Sequence, residues 1–417
     1  MRSDTETTTI LDTAEGQAMS RILGSDAFYD ANPHSYAGLV QRLQMLREGG
    51  LPPMRVVSAA EIERLGRIPR STDTDAKVED ALDVVQRCGQ DAAGKPLATL
   101  TFFSHQWLRP NWCEAKKADL AWGSPERAQA AEEGLVVGDV DSADHEKAKA
   151  LVQWAKWLVW TSSKDDGQAQ VEVSVSTSNI LVGIVASTVA ETVYSAVATA
   201  AATKFVTNLS SSADLEVYFW IDYCSSLQNT REAPAQIVPY MAALPAYVAV
   251  CAAVAAYWTE AYDSRAWCQT EMLMGYAFVS TGDKLWIVPK GFEHGEQDGV
   301  NEEEMLVPDP ANPETAKLTN EADRPVLVAL TETARNSKAF GCWRTFVRQC
   351  TPGEDNELPW CMLINCCCCQ CFGCCAVMNA REVKPGASVV TKLTPMMLAA
   401  TAEASAAAPQ AAVMERA

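Results

Sequence analysis

The run Tyr262-Asp263-Ser264-Arg265-Ala266-Trp267-Cys268-Gln269-Thr270-Glu271 decides which class of fold this chain belongs to. It follows a long apolar segment, Ala242 to Trp258, and opens a segment with helical character, Thr270 to Val279. On a helix Trp267 and Glu271 are four apart and share a face, so the ring can pack against a carboxylate at a helix start close to a strand end. Glu271 then has two readings: a catalytic carboxylate, or an exposed acid in a first helical turn that suits the helix dipole.

Working outward, four short β-prone runs flank this stretch. Leu97 to Ser104 is followed at once by His105, Gln106 and Trp107, and Leu215 to Asp222 ends in an acid. A third strand is expected within Ala246 to Tyr257, and a fourth at Lys284 to Val288, stopped by Pro289. Helical patterns separate them. Asp141 to Ser163 is the clearest, with Ala148, Leu151, Val152, Ala155, Leu158 and Val159 on one face. Strands alternating with helices predict an α/β fold with a mostly parallel sheet covered on both faces. In such a sheet the carboxyl ends of the strands carry the binding residues, which singles out Ser104, His105, Trp107 and Asp222.

The α/β domain is placed at residues 97–291, with an insertion at about 165–213. Residues 1–24 are polar, start Thr-rich and read as a flexible arm. Residues 25–96 read as a helical N-terminal extension, with one helix between Asn32 and Gly50, a capping box at Ser58 and Glu61, and another helix from Ala76 to Cys88 ended by Gly89. Residues 292–358 are an acidic, proline-containing linker with a helix, 359–380 a cysteine-rich segment, and 381–417 a flexible, Ala-rich tail.

The 417 residues, 48% hydrophobic, are enough for a sizeable core. A net charge of -19, with no basic stripe carrying interleaved aromatics, argues against general nucleic-acid binding. The first thirty residues carry Asp4, Glu6, Asp12 and Glu15 and no apolar run of secretory-signal length, so the expected location is cytoplasmic. Two stretches bear on the membrane. Gln236 to Trp258 is uncharged but interrupted by Pro239 and Pro245, which fits a short helix followed by a buried strand better than a span. Asn179 to Thr203 is mostly apolar with Glu191 near its centre, and a packed helix or helical hairpin is preferred over a span.

Four blocks of this sequence resemble the Toll/interleukin-1 receptor (TIR) domain in a divergent form: Phe102-Phe103-Ser104-His105, Phe219-Trp220-Ile221-Asp222, Tyr262 to Glu271, and Trp286-Ile287-Val288-Pro289. The Trp-Cys-x-x-Glu block after Tyr-x-Ser is the most specific of them. The resemblance implies a flavodoxin-like, doubly wound sheet. It implies a domain that either assembles with its own kind in signalling or cleaves NAD at the nicotinamide-ribose bond. In the cleaving members a glutamate on this helix is catalytic, and that position matches Glu271. Breaking the bond builds positive charge on the ribose, which a fixed carboxylate stabilises.

On this reading Ser104, His105, Trp107, Asp222 and Trp267 are candidate contacts to NAD, which is a substrate; no cofactor and no metal site is expected. Asp222 could accept from a ribose hydroxyl. A Ser104-His105-Asp222 triad is disfavoured because neighbouring residues on a strand point to opposite faces. From the residues alone Trp267 and Cys268 read as packing residues, since a nucleophilic Cys268 would need a base that none of the four histidines supplies.

The cysteine cluster leaves three readings open. Cys368, Cys371 and Cys374 have metal-ligand spacing, but four consecutive cysteines exceed one tetrahedral site. Acylation of Cys366, Cys367, Cys368, Cys369, Cys371, Cys374 and Cys375 fits better, since two or more acyl chains anchor stably. The third reading is a segment buried against the domain. The partners expected are a second TIR-like domain, through self-association, and a membrane surface. The rival to the enzyme is a non-catalytic interaction scaffold tethered by the acylated cysteines.

Overall fold

Leu100, Phe102 and Ser104 lie on one side of a strand, β3 (Ala98–His105), and Thr101, Phe103 and His105 on the other, and all eight of its residues are buried. An alternating strand with no polar outer face belongs between two covering layers. The computed structural model bears this out. It describes residues 10–109, 112–113, 115–120, 124–132, 138–163, 174–177, 209–226, 237–259, 261–262, 264–278, 285–289, 316–318, 321–336 and 387–390.

β3 is central in a six-stranded sheet that also contains β1 (Arg55–Ser58), β2 (Val78–Asp80), β4 (Glu216–Trp220), β5 (Ala253–Trp258) and β6 (Leu285–Pro289), in the order β2-β1-β4-β3-β5-β6. β4, β3, β5 and β6 are parallel, and β1 and β2 join antiparallel beside β4. The fold is therefore α/β, mixed rather than purely parallel. After β4 the chain crosses β3 to lay down β5 on its other side, so the carboxyl ends of β3, β4 and β5 meet where the winding direction reverses. Phe102 pairs with Trp220 and His105 with Tyr257. That register brings Asp222, two residues past Trp220, level with Ser104 and next to His105.

The helices are α1 (Ala14–Leu23), α2 (Asp26–Asp30), α3 (Tyr36–Glu48), α4 (Ala59–Leu65), α5 (Ala81–Cys88), α6 (Pro125–Glu132), α7 (Glu146–Ser163), α8 (Asp222–Ser225), α9 (Ile237–Val250), α10 (Ala266–Ala277) and α11 (Arg324–Asn336). On one face Leu100, Phe102, Tyr218, Trp220 and Val254 pack with residues of α1, α3, α5, α9, α10 and α11. On the other, Phe103, Val217, Phe219, Ala255 and Tyr257 pack with Ile62 of α4 and with Leu151, Trp154 and Leu158 of α7. The rings of Phe102 and Trp220 stack at 4.8 Å across neighbouring strands, an arrangement worth about 0.5–1.5 kcal/mol beyond the area buried.

Two expectations are corrected here. Residues 10–24 are not a flexible arm: α1 buries Ala18, Met19, Ile22 and Leu23, capped by Thr13, whose hydroxyl accepts from the Gly16 amide. Residues 1–9 lie outside the described residues. Nor is 25–96 a purely helical extension. Its helices alternate with β1 and β2, and Val56 and Val57 feed the two separate clusters on opposite faces of the sheet. Arg42 of α3, 4% exposed, donates to the Ala31 carbonyl at 2.8 Å and the Ala249 carbonyl at 2.9 Å, tying α3 to α9. The Ser58 cap is as expected, accepting from Glu61 N at 3.1 Å, but the Glu61 carboxylate turns to Arg64 and the Lys77 amide instead of closing the box.

From Ile237 to Trp258 the stretch resolves into α9 followed by β5, and among the described residues no helix is long and apolar enough to cross a membrane. The 165–213 insertion, apart from 174–177 and 209–213, lies outside the described residues. So do the cysteine cluster and most of residues 292–358 and 381–417.

Candidate functional site

Ser104 ends the face of β3 that looks toward α10. Its hydroxyl donates to Glu271 Oε2 at 2.6 Å and lies 2.5 Å from the Tyr262 hydroxyl. Because Ser104 has one proton and gives it to the carboxyl, the phenol is the donor in the second bond. Glu271 does not start the helix. α10 begins at Ala266 with no acid in its first turn, and Glu271 falls in the second turn, 9% exposed. The dipole reading of Glu271 as an exposed first-turn acid is thereby overturned. Burial pushes its carboxyl up to about 8; the Ser104 hydrogen bond opposes the rise and the charge of Asp222 adds to it. The group is mostly neutral at neutral pH.

His105 ends the opposite face. Its Nε2 lies 3.1 Å from Asp222 Oδ1, while Trp107 Nε1 donates to Asp222 Oδ2 at 2.9 Å. The Asp222 side chain is 35% exposed and that of His105 only 2%. Burial alone would raise Asp222, but His105 and the Trp107 hydrogen bond outweigh it and hold the carboxylate below its ordinary range. Beneath the imidazole lies Lys147, fully buried, with Nζ 3.2 Å from His105 Nδ1, 2.6 Å from the Val140 carbonyl and hydrogen-bonded to the Gln106 carbonyl. It also sits 5.5 Å from the centre of the Tyr257 ring. Burial lowers Lys147 to about 8, opposed first by the charge of Asp141, and burial with Lys147 beside it lowers His105.

The start of α7 is built to hold that lysine. Asp141, 1% exposed, accepts from the amides of Ser142 (2.8 Å), Lys147 (2.9 Å) and Ala148 (3.0 Å), and Ser142 Oγ accepts from Glu146 N at 3.1 Å. His145, at φ 55, turns the chain into the helix. Arg109 braces the loop by donating to the Asp141 carbonyl at 2.9 Å and pairing with Asp139 at 2.5 Å.

The structure thus brings Ser104, Glu271 and Tyr262 together on one face of β3, and His105, Trp107, Asp222 and Lys147 on the other. The expected separation of Ser104 from His105 is what the geometry shows, and no triad forms. Trp267 is not part of either group: it is partly buried and donates to Asp323 Oδ2 at 3.2 Å, beside the start of α11. Cys268, 2% exposed, packs with Ala256, Tyr262 and Met272, and burial with Glu271 alongside pushes its thiol well above the ordinary range. It is a packing residue. Among the described residues no group of three or more His, Cys, Asp or Glu could hold a metal.

Two participants escape the sequence reading. Tyr262 stands inside the quoted stretch, but nothing in a linear pattern says that it meets Ser104, 158 positions away. Lys147 sits in Glu146-Lys147-Ala148-Lys149, which reads as a solvated helix start. The available hint is Asp139-Val140-Asp141-Ser142 just before it, a run rich in capping side chains.

Chemically, the site offers a neutral carboxyl that can ionise near pH 8, a carboxylate about one-third exposed and held by two side-chain donors, and two hydroxyls, all at one end of the sheet. Compared with protein-family models, with curated proteins and with solved structures, the chain shows no significant match.

Proposed function

We propose that this protein is a TIR-like signalling enzyme that hydrolyses NAD at the nicotinamide-ribose bond, with Glu271 as the catalytic carboxylate and Asp222 as acceptor for a ribose hydroxyl. One observation carries the reading: Glu271 is buried at the carboxyl end of the central strand, bonded to Ser104 and raised to about 8, in place of the exposed helix-start acid that a bland reading requires. The order β4-β3-β5-β6 of the parallel strands supports a flavodoxin-like winding, whose ligands sit outside the strand ends at the reversal point.

The resting carboxyl is neutral, and a pyridinium ring beside it favours the ionised form. As the C1′–N bond breaks, its electron pair leaves with nicotinamide and positive charge grows on the ribose. The Glu271 carboxylate stabilises that charge, and water then adds at C1′ and releases a proton. Ser104 keeps the carboxyl oriented.

The second reading, an interaction scaffold that self-associates and is tethered to a membrane by S-acylation of the 366–375 cysteines, draws on the 9% exposure of Glu271, which fits a structural acid as well. Purified protein at high concentration, incubated with NAD, separates the two. Nicotinamide release abolished in Glu271→Gln supports the enzyme; release unaffected by that substitution removes Glu271 from the chemistry. No release under any assembly condition favours the scaffold. Hydroxylamine-sensitive acyl labelling that survives serine replacement of all eight cysteines from Cys361 to Cys375 would eliminate that tether.

A further inference from the structure

Lys147 is the one buried cation at the carboxyl end of β3, among the described residues, that the proposed chemistry does not use. An ammonium has three N–H donors and no acceptor. Two of the three partners of Lys147, the Gln106 and Val140 carbonyls, can only accept, and the third is His105 Nδ1 at 3.2 Å. Facing a group that only donates, Nδ1 must offer its lone pair, so the proton of a neutral ring lies on Nε2. That nitrogen is 3.1 Å from Asp222 Oδ1, an acceptor. The chain of bonds is then directional: Lys147 to His105 to Asp222, with Trp107 donating to the other carboxylate oxygen at 2.9 Å.

We infer that Lys147 is a positioning residue: it fixes His105 as the Nε2–H tautomer and, through that ring, orients Asp222 toward a hydroxyl-bearing ligand. A residue with an amide or hydroxyl at position 147 could meet Nδ1 with either a donor or an acceptor and would let Nδ1 take a second proton beside the one Asp222 holds on Nε2; an ammonium keeps Nδ1 bare. The lysine is itself held in place, since Asp141 accepts from its backbone amide and from that of Ala148. The ligand part of the inference rests on the NAD reading, in which the hydroxyls are those of a ribose. The tautomer part does not.

The test is long-range 1H–15N correlation on protein labelled with 15N-histidine, the His105 signals being assigned by their loss in His105→Gln. At neutral pH the expected pattern is one protonated nitrogen, Nε2, and one bare nitrogen, Nδ1. A ring protonated on Nδ1 alone, or on both nitrogens, overturns the inference. In Lys147→Met, Asp222 still accepts from Nε2 and the ammonium no longer faces Nδ1, so a second proton should appear on Nδ1 at neutral pH; a pattern identical to the wild type also overturns it. If Lys147→Met does not fold, the wild-type spectrum still decides. With NAD, KM should rise about tenfold in Lys147→Met while kcat changes less, as for other partners that orient a ligand-binding group. A wild type that releases no nicotinamide removes the NAD reading and leaves the tautomer result standing.

Discussion

Glu271 answers to solvent and to Ser104 at once, and the two leave measurable traces in pH. Its folded-state value of about 8 lies above the ordinary 4.5, so between those values the folded protein holds a proton that the unfolded chain has released. Stability from this group is therefore full below about pH 4.5 and is lost as pH rises through about 8, a change on the order of 4–5 kcal/mol. Glu271→Gln keeps an acceptor for Ser104 and cannot ionise. Urea unfolding at a series of pH values should show the variant gaining on the wild type across that window, and parallel curves would mean that Glu271 is not buried as described. Ser104→Ala removes the hydrogen bond that pulls Glu271 down, so the alkaline midpoint of nicotinamide release should move to higher pH. The location of Glu271 is readable from Trp-Cys-x-x-Glu. Its burial is not, because that depends on Ser104, which arrives from a strand 167 positions away, and on the fold of the loop that brings Tyr262 onto that serine.

Among the elements, α7 shows how a boundary misread in sequence becomes a functional detail. Its apolar spacing suggests a helix from Asp141, yet the helix begins at Glu146 and Asp141 remains outside as a cap. Acidic caps and first-turn acids look alike in a linear pattern, and only the φ of 55 at His145 marks the turn between them. Asp141→Ala leaves the Lys147 and Ala148 amides without their acceptor in a buried setting. The expected loss is about 2 kcal/mol or more in denaturant unfolding, accompanied by loosening of the Lys147 contacts. An unchanged unfolding midpoint would show that the cap is dispensable. β1 and β2, four and three residues long, are too short for alternation to announce them, which is why the region around them reads as helical. α10 meets the sheet closely at Gly275, where an added Cβ would lie 3.3 Å from Val254 Cγ2, and no local propensity argument anticipates that approach.

At the scale of the molecule, the four parallel strands follow from the alternation of β-prone and helical runs that the sequence displays, whereas their order in the sheet and the inclusion of the N-terminal region do not. Leu39, Leu43, Leu46, Leu82 and Val85 pack in one cluster with Leu100, Phe102, Trp220 and Tyr247, so the core has no seam at residue 97. A protein beginning at Lys95 would lose β1 and β2 and would strip α1, α3 and α5 from that face of the sheet, leaving α9, α10 and α11 on it. It is expected to lack cooperative thermal unfolding and dispersed amide resonances; a folded spectrum would make the N-terminal region a separable domain after all.

The pairing of β1 with β4 carries one more consequence, in time. Val57 meets Phe219, 162 positions later, and at about 5–20 residues per second the ribosome needs roughly 8–30 s to make the intervening chain. During that interval α1 to α5 and the antiparallel β1–β2 pair have been synthesised while their apolar faces await β4. Nascent chains halted before residue 216 should therefore be the form that chaperones hold and proteases cut.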